Sequence, residues 1–157
     1  MWKALAALLA LMPGAGLALE PLRYLDDRST PEAVIQSLYN AVSMHHYPRA
    51  WSYFDDDVRP DFHRFVAGYA DTLWVDVRTG EVVSEGAAGT TYWLVPTVIA
   101  AVRRDGSRAV FAGCYVLRQT NPDLIKEPPY DPIAIFKGRL RPVAVPFAEA
   151  KGDCSGF

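Results

Sequence analysis

Residues 90–120 read TTYWLVPTVIAAVRRDGSRAVFAGCYVLRQT. Two long apolar runs flank Asp105-Gly106, and Asp-Gly between such runs is a strong short-range signal for a tight hairpin, because the glycine accepts the positive φ that the turn needs. Both runs are rich in Val, Ile, Tyr and Phe and apolar on both faces. They are therefore expected as the central strands of a sheet that is covered on both sides or curled around a cavity. Pro96 lies inside the first run and has no N–H to give to a ladder, so a bulge or bend is expected there.

Working outward, DTLWVDVRT at 71–79 alternates, with Leu73, Val75 and Val77 on one face and Trp74, Asp76 and Arg78 on the other. EVVSEGAAG follows after a Thr79-Gly80 turn. Downstream, NPDLIKEPPYDP at 121–132 is a Pro-rich loop, and IAIFKGRL at 133–140 reads as a last strand. Before Asp71 the period is helical. STPEAVIQSLYNAVSMHH at 29–46 carries Thr30 as a cap, Pro31 at the first helical position and Glu32 in the first turn. Val34, Leu38, Ala41 and His45 share an apolar stripe with Ile35 and Val42 beside it. Pro48 restarts a short helix in YPRAWSYF that presents Ala50, Trp51 and Phe54. Pro60 starts a third, PDFHRFVAGYA, with Phe62, Phe65, Val66 and Tyr69 at helical spacing and Gly68 near its end. Helices first and an antiparallel sheet second predict an α+β fold of three N-terminal helices packed on a strongly curved sheet. No linker divides it, so residues 19–157 are expected to form a single domain.

The first residues, MWKALAALLALMPGAGLALEP, have a positive start at Lys3, an apolar run from Ala4 to Met12, and a break at Pro13-Gly14. Gly16 and Ala18 are the small residues of a cleavage site, so residues 1–18 are read as a signal peptide. The run is shorter than the roughly 20 residues that span a bilayer. The mature chain is expected in the periplasm or secreted, without membrane insertion after cleavage and without a lipid anchor, for want of a Cys at the cleavage point. In such an oxidising compartment the two cysteines, Cys114 and Cys154, are expected to pair. Of 16 basic residues the mature chain loses Lys3, leaving 15 against 18 acidic ones, a net charge of −3. That mild balance offers no electrostatic reason to bind nucleic acid.

Taken in order, PEAVIQSLYNAV…YPRAWSYF, FVAGYADTLWVDV, AAGTTYWLVPTVIAAVRRDGSRAVFAGCYVLR and IAIFKGRL resemble the NTF2-like superfamily, the cone-shaped α+β fold. More narrowly, they are similar to its exported bacterial members of undefined activity, which carry a phrase like F..GY..T after the third helix and GCY in a long strand. The resemblance implies a conical pocket between the helices and the concave face of the sheet. The superfamily holds isomerases, dehydratases and epoxide hydrolases beside non-catalytic binding domains, so fold alone does not set function. The steroid-isomerase type uses a Tyr and two carboxyl groups inside the cone. This chain lacks an inward pair of strand carboxylates, since Asp76 alternates with the apolar face.

SMHHYPRAWSYFDDDVRPDFHRF at 43–65 gathers all three histidines with four aspartates. Adjacent His45 and His46 point about 100° apart on a helix, and the carboxylates of Asp55, Asp56 and Asp57 diverge, so no metal site is expected. The histidines suit the negative end of the first helix, and the Asp run suits the positive start of the third. The aromatic residues Tyr39, Trp51, Phe65, Tyr69, Tyr92 and Tyr115 are the candidates to line a ligand pocket. The run Arg103-Arg104-Asp105-Gly106-Ser107-Arg108 has the charge to hold an anion but reads first as a charged hairpin tip. With no nucleophile elbow, Gly-rich phosphate loop or zinc helix, no cofactor is expected. The leading expectation is binding of a small apolar ligand or a protein partner without chemistry. One alternative is an acid–base enzyme of isomerase, lyase or hydrolase type, with Tyr39 or Tyr92 polarising an oxygen and His45 or Asp71 moving the proton. The other is an interaction or scaffold protein that forms a homodimer through the sheet.

Overall fold

Thr30 opens the first helix by accepting a hydrogen bond from the Ala33 N–H (3.1 Å), and Pro31 occupies the first turn, where no N–H is needed. The computed structural model describes residues 22–157, and the segment read as a signal peptide lies outside the described residues. Helix α1 (Pro31–Ser43) buries Val34, Ile35, Leu38, Ala41 and Val42 completely or nearly so. It ends sooner than the apolar stripe suggested. His45 adopts φ 56°, its N–H donates to Val42 O (2.9 Å), and the His46 N–H donates to Ala41 O (2.9 Å). This double closure is a Schellman cap with His45 where glycine is usual. His45 thus leaves the stripe, and the two histidines follow the helix instead of belonging to its last turn.

Helices α2 (Tyr47–Trp51) and α3 (Phe62–Gly68) complete the helical layer. Asp61, not the Asp55–Asp57 run, caps α3 by accepting from the Arg64 N–H (2.8 Å). The run has another use. Both carboxylate oxygens of Asp55 accept from Arg118 (2.8 Å each), Asp57 accepts from the same guanidinium (2.5 Å), and Asp56 pairs with Arg59. Burial works against Asp55 ionising, but Arg118 and the Asp57 N–H outweigh it and hold the carboxyl below its ordinary value of 3.8. A depressed folded value means that this pair stabilises the fold fully above 3.8, and that the stabilisation disappears as pH falls through the lower folded value. An Asp55→Asn variant is expected to lose about 2 kcal/mol at neutral pH. In urea melts the gap to wild type should close as pH drops below 3.8.

The sheet contains β1 (Thr72–Thr79), β2 (Val83–Ala87), β3 (Thr90–Arg103), β4 (Arg108–Thr120) and β5 (Ala134–Val143), all pairs antiparallel. Its order is β1-β3-β4-β5, with β2 also paired to β3. This is the expected α+β arrangement of three helices on an antiparallel sheet. β3 and β4 stay in register from Thr90↔Thr120 to Val102↔Arg108, through Pro96↔Cys114, without the expected bulge. The interruption falls on the other edge of β3. There β1 pairs up to Thr97 and β2 begins at Leu94, end to end along the same strand. The Gly80 N–H donates to Pro96 O (2.7 Å), so the missing N–H of Pro96 faces the break between them. Register shifts occur instead at Leu73 in β1 and Phe136 in β5, and bulges there bend the sheet. The free edge of β1 is closed by Ser43, whose hydroxyl accepts from the Val75 N–H (2.9 Å).

Inward residues Val95, Ile99, Tyr115, Leu117 and Ile135 join α1 in the main core. The opposite face is buried too: Val98, Ala100, Val102 and Cys114 are each under a tenth exposed. Its cover includes the C-terminal tail. Cys114 and Cys154 form the expected disulfide, Cα–Cα 5.0 Å. The Arg78 guanidinium donates to the carbonyls of Phe147 (2.7 Å), Ala148 (3.3 Å) and Ala150 (2.5 Å). Arg78 and Arg108 both lie over the Phe147 ring. Gly152 presses so closely that a Cβ there would run into the backbone of Pro96 and Thr97. The tail therefore occupies the middle of the face that a sheet-mediated homodimer would use.

Candidate functional site

On the concave side, between α3 and the sheet, lies a cavity of about 460 Å³, in the range of small-molecule pockets. Its walls are apolar. Phe54, Phe65 and Tyr69 come from the helical side, and Ile99, Ala101, Phe111 and Leu140 from the strands. Phe65 stacks edge-on against both Phe54 (5.7 Å) and Tyr69 (5.2 Å). Two glycines leave room. Gly68 lines the helical wall, and Gly138 of β5 lies under the Tyr115 ring, where a Cβ would stand within 2.5 Å of ring carbon Cδ1.

Polar groups enter as tyrosine hydroxyls and as arginines. Tyr39 of α1 and Tyr115 of β4 share a hydrogen bond of 2.6 Å between hydroxyls, both rings being buried. Burial raises the Tyr39 phenol well above its usual value, and proximity to Tyr115 and Tyr69 adds to it. Burial likewise raises Tyr69 and Tyr115. All three phenols are therefore neutral donors at physiological pH. Raised folded values also fix the alkaline behaviour, since their contribution to stability is complete below the ordinary value of 10 and is lost as pH climbs above it. Absorbance titration near 295 nm is expected to leave these tyrosines un-ionised past pH 10 in the folded protein and to release them together on alkaline unfolding.

The lining also holds two arginines, Arg64 of α3 and Arg103 at the end of β3, both exposed. The bulge at Leu73 brings Thr72 opposite Arg103 and onto this wall, a position that simple alternation in β1 assigns to the other face.

Four of the six aromatic candidates, Tyr39, Phe65, Tyr69 and Tyr115, meet around this cavity. Trp51 does not line it. Its Nε1 donates to Pro60 O (2.7 Å), Arg59 lies over its ring, and Phe62 packs against its edge. Tyr92 is also elsewhere, edge-on to Phe136. Of the groups weighed as proton movers, the His45 Nε2 is engaged with Thr72 O (3.1 Å) and Asp71 is exposed outside the lining. The lining contains no carboxylate and no imidazole among the described residues. Sequence reading put Arg103 in a run with the charge to hold an anion but missed its place in this cavity, because a charged hairpin tip looks solvated. The available signal was parity, as Trp93, Val95, Thr97, Ile99, Ala101 and Arg103 form one alternating series.

No family model matches the chain, and no curated protein matches it. Among solved structures, one described as the beta subunit of an aromatic-ring-hydroxylating dioxygenase from Novosphingobium aromaticivorans aligns with a TM-score of 0.45 at 14% identity. The alignment covers 71% of this chain and 90% of that one.

Proposed function

We propose that this chain is an exported, NTF2-like binding protein that holds a small, largely apolar molecule in its cone and does no chemistry on it. The observation that carries the reading is the 460 Å³ hollow with aromatic walls and a buried hydroxyl pair. Its polar floor suits recognition. Either hydroxyl of the Tyr39–Tyr115 pair can be the donor, and Tyr69 interacts with Tyr39 as well, so three neutral phenols form the polar part of the lining beside the arginines. Acid–base catalysis needs a proton donor and a proton acceptor within reach of one point. Neutral phenols with elevated values make poor bases, and no carboxylate or imidazole shares the described lining. The export and NTF2-like parts rest on the leader-like first residues and on the order of sequence strings described above.

Cavity filling tests the reading. Ala101→Leu adds a branched side chain to the cavity wall. Native mass spectrometry after incubation with a small-molecule extract is expected to find adducts on the wild type and none on the variant. Equal adducts on both, or none on either, would remove the support for a cone ligand.

A further inference from the structure

We propose that the ligand is an amphipathic acid, with its carboxylate gripped by Arg64 and Arg103 and its apolar body against the aromatic and aliphatic walls of the cavity. The inference rests on the small-ligand reading and adds the charge and orientation of the molecule. The arginines of this chain are mostly committed. Arg28, Arg59, Arg108 and Arg118 pair with carboxylates, and Arg49 and Arg78 donate to main-chain carbonyls. The Arg64 and Arg103 guanidiniums, in contrast, donate no hydrogen bond to a described residue and form no ion pair with one, yet both line the same apolar hollow.

Asp105, near Arg103, is not a substitute partner. Ser107, through its hydroxyl and its N–H (2.8 Å), is the first cause that holds the Asp105 carboxylate ionised at the turn, and Arg103 adds less. Two like charges on one pocket, with apolar walls that concentrate their field, form a receptor for a single anion. A planar carboxylate matches the guanidinium fork in charge and shape. Phe54, Phe65, Phe111, Ile99 and Leu140 in the same lining suit an apolar tail on that anion.

Isothermal titration calorimetry with three probes of one size tests this: 4-butylbenzoate, 4-butylbenzyl alcohol and 4-butylbenzylamine. The acid is expected to bind ~10-fold or more tightly than the alcohol, and the amine more weakly still. Arg64→Gln and Arg103→Gln are each expected to weaken the acid ~5- to 10-fold and to leave the alcohol within about 2-fold. Both residues are exposed, so the variants should keep the wild-type melting temperature and circular dichroism. Arg64→Lys, which keeps the charge and loses the fork, should fall between wild type and Arg64→Gln. Acid and alcohol binding alike, indifferent to both arginines, would overturn the acid assignment and leave the cone reading standing. Preference for the amine would overturn the assignment as well. If no probe binds, the cone reading itself falls.

Discussion

A Cys114→Ser, Cys154→Ser double variant should melt roughly 10–15 °C below wild type, from a loss of about 4 kcal/mol. The bond closes a loop between residues 40 apart, and in the chain-entropy model a loop of that size accounts for the loss through the unfolded state alone. The fold adds a second consequence. The tail bonded at Cys154 also carries the carbonyls held by Arg78, the Phe147 ring under Arg78 and Arg108, and the Gly152 contact with β3. Freed of its covalent anchor, residues 146–157 should exchange amide hydrogens faster than the β3–β4 ladder. Hydrogen exchange by mass spectrometry reads this directly. A tail as protected in the double variant as in wild type would mean that the noncovalent contacts suffice.

Gly138→Ala is the second large effect, about 3 kcal/mol of destabilisation together with loss of cone binding. The new methyl would sit within 2.5 Å of Tyr115 Cδ1 and closer still to Cε1. The ring cannot simply move aside, because it is 8% exposed and its hydroxyl is held by Tyr39. Displacing it breaks a buried hydrogen bond and pushes the ring into the cavity. Tyr115→Leu removes the obstacle, so Gly138→Ala made on that background should cost less than about 1 kcal/mol. Additive losses in urea melts would show that Gly138 matters for some reason other than the ring.

These two sites also mark what local pattern could and could not convey. GCY at 113–115 sits in a strand whose side chains alternate, so Cys114 and Tyr115 on opposite faces follow from period, while which of the two faces inward does not. Thr30, Pro31, Asp105 and Gly106 act within a few residues of themselves, and the helix start and hairpin they mark lie where the sequence places them. Features set by distant partners were hidden. Pro96 signalled an irregularity, but which neighbour lacked its N–H depended on where β1 stops and β2 starts. The extra residue at Leu73, which turns Thr72 to the cavity, leaves the apolar alternation of β1 almost unchanged. The Asp55–Asp57 run reads locally as helix-capping charge, whereas its partner, Arg118, lies some sixty residues away. Trp51 and Tyr92 share the composition of pocket aromatics, and only the packing around Pro60 and Phe136 separates them from the cavity.

The cone as a ligand site is tested most directly by intermolecular nuclear Overhauser effects from 4-butylbenzoate to the protein. The butyl protons should show contacts with the rings of Phe65, Phe111 and Tyr115, all lining the cavity, and none with Phe147 or Phe157 on the tail. Contacts confined to the tail aromatics, or none to the three cone rings at saturating probe, would contradict the account.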